Sequence, residues 1–480
     1  MSFRSEKMLI DGVWRDAQGG EVVEILDPAT EEIVGSVPLA TAADLDEALS
    51  AAERGWRLWR KVSAWERSAV LRRAAAILTD RRSAAARTLS IEQGKPLREA
   101  EAELEATIEQ LEWFADEARR IYGRTVDARN LNQRYQVRRE PIGPVAAFTP
   151  WNFPVLLAAR KVAPALAAGC SVILKPAEEA PTAAIELARA LVDAGLPNGV
   201  LNVVTGRPSS ISEHLLRSPI IRKLSFTGSV AVGRHLLSLA ATNIVNVSME
   251  LGGHAPVLVF GDVDGAVAGR ECAKGKFRNC GQVCISPTRF YVHESIIQDF
   301  TRSFVDTVRE FRVGRGTDPE TDIGPLASAR RVEAIESLVD DAVAKGARIE
   351  VGGKRMEGPG YFYQPTVLSD VPPDAELMWN EPFGPVAPIV SFSDFDEVIK
   401  LANETQFGLA GYVLSENLTT VIKASEELEV GIVGVNSFAV SAAPIPFGGV
   451  KASGIGSENG TEAIESYLHP KAIVTGLGLS

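Results

Sequence analysis

Apolar positions in the first quarter of the chain fall at helical spacing. After a short β-rich stretch, Thr41 with Asp44 and Ser63 with Glu66 each set a hydroxyl three residues before a carboxylate, a pattern that caps a helix. Beyond the second pair, Val70, Leu71, Ala74, Ile77 and Leu78 share one helical face. Gly94-Lys95-Pro96 breaks that run, and Leu104, Ile108, Leu111 and Ala115 set up the next helix. From Gly123 to Arg139 the periodicity is lost and the residues turn polar, which predicts a protruding hairpin or arm.

From Pro141 the period changes. Short β-rich segments, Val145–Phe148, Val172–Lys175, Val200–Val204, Lys223–Phe226 and Val245–Glu250, alternate with helical ones. A second alternating block runs from near Pro256 to about Ile445 and includes Arg289–His293 and Gly411–Leu414. Strands alternating with helices of this length predict βαβ units, and the simplest reading is two doubly wound α/β domains.

Composition narrows the classes. With 480 residues, 45% of them hydrophobic and 23% charged, the chain has room for two or three ordinary cores. Its 50 basic and 62 acidic residues give a net charge of −12, which argues against a nucleic-acid partner. No run of apolar residues reaches membrane-spanning length, since Val155–Ala168 is cut by Arg160, Lys161 and Pro164. Met1–Trp14 carries charges where a signal peptide needs an apolar core. Cys170, Cys272, Cys280 and Cys284 make no disulfide framework, so a reducing cytoplasm is the expected compartment. Scattered histidines leave no metal site to expect.

Ligands of an open α/β sheet sit beyond the carboxyl ends of its strands, and several such ends are unusual here. Phe226-Thr227-Gly228-Ser229, with Gly233 further on, offers small residues and a helix start to a phosphate, or is a plain strand-to-helix turn. Lys175 and Glu178 suit the two hydroxyls of a ribose, or form a surface ion pair. In Pro150-Trp151-Asn152-Phe153-Pro154 an amide between prolines suits a developing oxyanion, or the segment is a rigid packed turn. Cys284 follows a Gly-Gln turn without a histidine partner, but Glu250, before Gly252 and Gly253, supplies a carboxylate at a strand end.

Together these segments resemble the NAD(P)-dependent aldehyde dehydrogenases. The likeness covers nearly the whole chain, through Asp27-Pro28-Ala29-Thr30, Glu92-Gln93-Gly94-Lys95-Pro96, Glu381-Pro382-Phe383-Gly384-Pro385 and Pro446-Phe447-Gly448-Gly449-Val450-Lys451. The resemblance implies an aldehyde dehydrogenase-like α/β fold: a cofactor domain over 1–122 and 141–250, a catalytic domain over 251–446, and an oligomerisation arm and tail over 123–140 and 462–480. It implies Cys284 as nucleophile, Glu250 as general base, Asn152 as oxyanion donor and Lys161 as a proton relay near Glu250. For the cofactor it implies Lys175 and Glu178 on the adenosine ribose, Gly228, Ser229 and Gly233 at the pyrophosphate, and Trp151, Glu381 and Phe383 around the nicotinamide. Glu178 favours NAD, because a carboxylate accepts from a 2′-hydroxyl and repels a 2′-phosphate, while Lys175 leaves some NADP use open.

Among its members the chain is most similar to the succinate-semialdehyde and 2-oxoglutarate semialdehyde dehydrogenases. That likeness assigns Arg160, Arg278 and Ser441 to a carboxylate at the far end of a small aldehyde substrate, which guanidinium groups bind bidentately. Glutarate semialdehyde and a broad aldehyde range are the alternatives. Many succinate-semialdehyde enzymes carry a second cysteine two residues after the nucleophile; here that position is Ser286, and sequence leaves any Cys280–Cys284 pairing undecided. A non-catalytic relative would lose the nucleophile or base, and a CoA-acylating one typically lacks the glutamate. A homodimer or homotetramer is the implied assembly.

Overall fold

The computed structural model describes residues 4–478. The opening β-rich stretch divides. Arg4–Ser5, Val22–Leu26 and Ile33–Pro38 form a three-stranded sheet of their own, whereas Met8–Ile10 and Val13–Arg15 extend a larger one. Three helices follow: α1 (Ala42–Trp59), α2 (Ala64–Gln93) and α3 (Leu97–Glu117). The α1 cap is the reciprocal box, with the Asp44 amide donating to the Thr41 hydroxyl and the Thr41 amide to the Asp44 carboxylate. At α2 only half the box forms, because the Glu66 carboxylate turns to Arg73. Gly94 ends α2 at φ +93°, where a Cβ would lie 2.7 Å from the Pro325 ring.

The larger sheet has eight strands in the order Gly454–Ile455, Asn246–Glu250, Lys223–Thr227, Val145–Phe148, Val172–Lys175, Leu201–Val203, Met8–Ile10 and Val13–Arg15. Its five central strands are parallel, and the chain fills them outward in two directions from Val145–Phe148. The order therefore reverses between Val145–Phe148 and Lys223–Thr227. Crossovers are made by α4 (Pro154–Ala168), α5 (Thr182–Asp193), α6 (Pro208–Arg217) and α7 (Val230–Ala241). All fifteen residues of α4 are buried, which explains the apolar run that is nonetheless too short and too charged to span a membrane. No helix among the described residues is long and apolar enough to do so.

A second sheet of seven strands runs Arg348–Val351, Thr366–Ser369, Val386–Phe392, Pro287–His293, Ala255–Val259, Ala410–Leu414 and Ile432–Val435, parallel apart from its first strand. The two-domain α/β expectation holds. The polar segment after Gly123 becomes Arg124–Val126 and Gln133–Pro141, and the last strand among the described residues, Leu468–Gly476, pairs along the whole of the latter. One expectation shifts. Ala463, Ile464 and Tyr467, expected in the tail, are core residues of the first domain, so the tail proper starts at Leu468. The short helix Gly460–Glu465 is too brief to announce its buried face by periodicity. Residues 479–480 of that tail lie outside the described residues.

Candidate active site

The point where strand order reverses opens a crevice at the carboxyl ends of the first sheet. Thr149–Phe153 leaves one side of it and Gly228-Ser229 the other. Facing these are segments that precede strands of the second sheet: Gly252 before Ala255, Cys284 before Pro287, and Glu381 and Phe383 before Val386. The two groups line one cleft of about 340 Å³, with Trp151, Asn152, Gly228, Ser229, Leu251, Cys284, Glu381 and Phe383 on its walls.

Cys284 is half-buried. The turn before it is strained: Asn279, Cys280 and Gly281 are all left-handed, at φ +48°, +55° and +70°. Gly281 is required there, since a Cβ would lie 2.2 Å from the Gly384 carbonyl oxygen. Gln282 ties the turn down by donating to the Asn279 carbonyl and accepting from the Ala327 amide, and Tyr412 Oη donates to the Ile285 carbonyl at 2.6 Å. The Asn152 amide donates one N–H to the Gln282 carbonyl at 3.1 Å, which fixes its plane beside the cysteine loop. Burial, then the Glu381 charge, push the Cys284 thiol up to about 12, with Arg160 opposing.

Glu250 ends its strand behind the cleft wall, buried, with neither carboxylate oxygen hydrogen-bonded. Burial first, and the neighbouring Glu458 second, hold its pKa well above the usual carboxylate range, against Lys161 and Arg160. Lys161, on α4, does not hydrogen-bond Glu250. Its Nζ donates to Thr227 Oγ1 at 2.7 Å and to the Glu458 carboxylate. Glu458 was invisible in sequence, sitting in an unpatterned Ser-Glu-Asn-Gly stretch that the antiparallel strand Gly454–Ile455 delivers beside Glu250.

The cofactor candidates separate into groups. Trp151 and Phe383 meet edge to face, with ring centroids 5.5 Å apart. Glu381 Oε1 accepts from the Gly253 amide at 3.0 Å, burial lifts its pKa to about 7, and its Oε2 fills the place a Cβ of Gly252 would take. Ser229 caps α7 through the Val232 amide. Gly233 lies inside α7, where a Cβ would meet Leu251 Cδ2 at 2.6 Å, so its lack of a side chain lets α7 pack closely on Leu251. Lys175 and Glu178 sit one strand over from the crevice, Lys175 in register with Phe148, and pair at 3.3 Å. Burial lowers the lysine's pKa and raises the glutamate's, each opposed by the other.

Arg160 and Ser441 come together from segments 281 residues apart, Nη2 donating to Oγ at 2.6 Å. Arg160 is 4% exposed, its Nε has no partner, and its guanidinium lies 4.5 Å above the Phe447 ring. It makes no ion pair with any carboxylate among the described residues, which makes its burial costly. Arg278 is exposed, lies 5.1 Å from the Phe153 ring centroid, and is likewise without an ion pair. The two arginines therefore differ: one is desolvated and fixed, the other free at the surface.

A thiol, an amide donor, an unpartnered carboxyl and a cleft at a strand-order reversal define an enzyme of acyl or carbonyl chemistry on a two-domain α/β frame. The profile of the Aldehyde dehydrogenase family matches residues 14–473, and the chain belongs to that family. It is 45% identical to the 4-(hydroxymethyl)benzenesulfonate dehydrogenase of Comamonas testosteroni, over 98% of this chain and 98% of that protein. It is 43% identical to the NADP(+) succinate-semialdehyde dehydrogenase of Escherichia coli, over 98% of each. Among solved structures, the succinate-semialdehyde dehydrogenase from Burkholderia pseudomallei superposes with a TM-score of 0.96 at 43% identity, covering 98% of both chains.

Proposed function

We propose that the protein oxidises a small aldehyde carrying an anionic group at its far end, with succinate semialdehyde as substrate and succinate as product, and NAD as cofactor. The observation that carries this reading is Arg160: a buried guanidinium, hydrogen-bonded to Ser441 and close enough to Cys284 to shift its titration, which feels the charges of Glu458 and Glu250 but forms no ion pair among the described residues. A carboxylate arriving with the substrate supplies that partner, with Arg278 as an outer contact. Glutarate and 2-oxoglutarate semialdehydes carry the same carboxylate, and the likeness to a benzenesulfonate dehydrogenase adds sulfonate as a second anion.

The residues fit a dinucleotide. Gly228 and Ser229 open a helix onto the crevice, Glu381 offers a carboxylate kept clear by Gly252, and Lys175 with Glu178 suits the outer ribose. Glu178 favours NAD over NADP. Bound there, the nicotinamide ring supplies the two-electron acceptor of the oxidation. The Cys284 sulfur, its proton given up to solvent, adds to the aldehyde carbon, and the resulting oxyanion accepts from the second Asn152 N–H and the Cys284 amide. Oxidation leaves the acyl group as a thioester on Cys284. Glu250 then takes a proton from the water that attacks the thioester, a role suited to a carboxyl that burial and Glu458 hold well above the usual carboxylate range. Lys161 relays that proton by handing one of its own to the Glu458 carboxylate it already hydrogen-bonds and taking one up in exchange.

A homodimer or homotetramer is proposed from open edges: Leu468–Gly476 and Ile432–Val435 each have one unpaired side, and Val474 and Val435 are exposed there. A monomeric mass by light scattering refutes the assembly. The substrate reading is tested by comparing kcat/KM for succinic, glutaric and 2-oxoglutaric semialdehydes, a sulfonated aldehyde and butanal, with NAD and with NADP. Butanal as the best substrate would overturn it.

A further inference from the structure

The turn between α2 and α3, with the first turns of α3, carries a charge cluster in which Lys95 and Glu103 are buried and Glu99 half-buried, and none of the three lines the cleft. Lys95 is 1% exposed and Glu103 3%, and their side chains pair at 2.5 Å. Lys95 Nζ also donates to the Asn152 carbonyl at 2.7 Å and lies 4.0 Å above the Phe153 ring. Glu103 Oε1 accepts from the amides of Val155 and Leu156 at 3.1 and 3.2 Å, capping α4, whose own first residue offers no side-chain cap. One turn earlier on α3, Glu99 Oε2 accepts from the Asn279 amide at 2.8 Å. Asn279 closes the circuit, its Nδ2 donating to the same Asn152 carbonyl at 3.0 Å.

These contacts converge on two segments that belong to different sheets: Asn152 with the start of α4, and the left-handed turn leading to Cys284. We infer that Lys95, Glu103 and Glu99 are positioning residues of the reaction, holding the Asn152 amide and the Cys284 loop in mutual register so that both oxyanion donors aim at one point. None of the three touches substrate. Their effect runs through Asn152 and Asn279, and the left-handed turn, which is costly to hold, explains why a buried charge network is used where apolar packing would fill the space more cheaply. The inference rests on Asn152 acting as proposed above.

The test is a double-mutant cycle. Lys95→Met combined with Glu103→Gln removes both charges and the carbonyl contact but keeps an acceptor for the α4 amides. It should lower kcat by about tenfold to a hundredfold through misalignment, leaving aldehyde KM and NAD affinity within about threefold. Introduced into Asn152→Ala, the same pair should cost less than about threefold, because the donor it aims is gone. Full activity in Asn152→Ala alone would refute the oxyanion assignment itself. An impaired Asn152→Ala with an undiminished further loss from the pair would refute positioning while sparing that assignment. Glu99 supplies an independent arm should the double variant not fold: Glu99→Ala should lower kcat, and Glu99→Gln, which keeps the acceptor for Asn279, should restore it to within about threefold. Equal kcat in the two Glu99 variants overturns the inference.

Discussion

Replacing Arg160 by methionine keeps most of the apolar stem and removes only the guanidinium. In the unliganded protein two sets of terms oppose each other. The substitution loses the bond to Ser441, about 1.5–3 kcal/mol for a charged donor, and the contact with the Phe447 ring, about 1–2 kcal/mol. It relieves the burial of a charge with no carboxylate partner, several kcal/mol for an ion, and of an unpartnered Nε, about 1–3 kcal/mol. Thermal and denaturant stability should therefore change by no more than about 1–2 kcal/mol in either direction. Substrate binding has no such compensation. A carboxylate that loses a charge-assisted partner forfeits about 1.5–3 kcal/mol, so kcat/KM for succinic semialdehyde should fall by roughly ten- to a hundredfold or more. Butanal, with no carboxylate, should change less than about threefold. Arg278→Ala, at an exposed site screened by water, should cost succinic semialdehyde only a few-fold, about what surface ion pairs contribute. The assay is steady-state NADH formation on both aldehydes, paired with urea unfolding. Equal losses on the two substrates, or a large loss of stability, would refute the anion-binding role of Arg160.

Three further outcomes are expected. Glu250→Gln should keep a pre-steady-state burst of NADH while slowing turnover by about 10²–10⁴-fold, the range for a lost general base; absence of the burst would show that Glu250 acts before the thioester. In the free enzyme the Cys284 thiol is held up to about 12 by burial, so alkylation by iodoacetamide should rise about tenfold per pH unit from neutrality to about pH 10; a plateau below about pH 9 would mean that the thiolate is already formed. Gly281→Ala forces a side chain into a left-handed backbone, costing about 1–2 kcal/mol before its clash with the Gly384 carbonyl is counted, and an unchanged melting temperature with full activity would contradict the described turn.

Where backbone period or a dense local motif carried the information, the sequence was readable. The α1 cap, the Gly94 break and the five parallel strands of the first sheet follow from spacing alone, with strand ends moved by a residue at Val200–Val204, Lys223–Phe226 and Val245–Glu250. Cys284, Asn152, Glu381, Phe383 and Ser229 reach one cleft because each sits at a strand end, where sheet topology decides what meets. What stayed hidden depends on long-range contact. Glu458 reaches Lys161 across 297 residues, and Lys95 reads locally as a helix breaker beside a proline although its ammonium is buried under Asn152. The contact of Gly233 with Leu251 was hidden as well, because glycine spacing cannot tell a ligand's approach from a leucine's.

The return of the chain's end to the first domain bears on how the protein is made. During synthesis the strand bearing Glu250 is complete long before Gly454–Ile455 emerges to cover its outer edge, and before Glu458 arrives to occupy Lys161. Until then the nascent first domain has a bare sheet edge, a buried lysine lacking its acid, and a core missing Ala463, Ile464 and Tyr467. Closure of that domain thus waits until the segment from Gly454 to Tyr467 has been made, and a chain stopped before it, even one that retains Cys284, Asn152 and Glu250, is left as a target for chaperones and proteases.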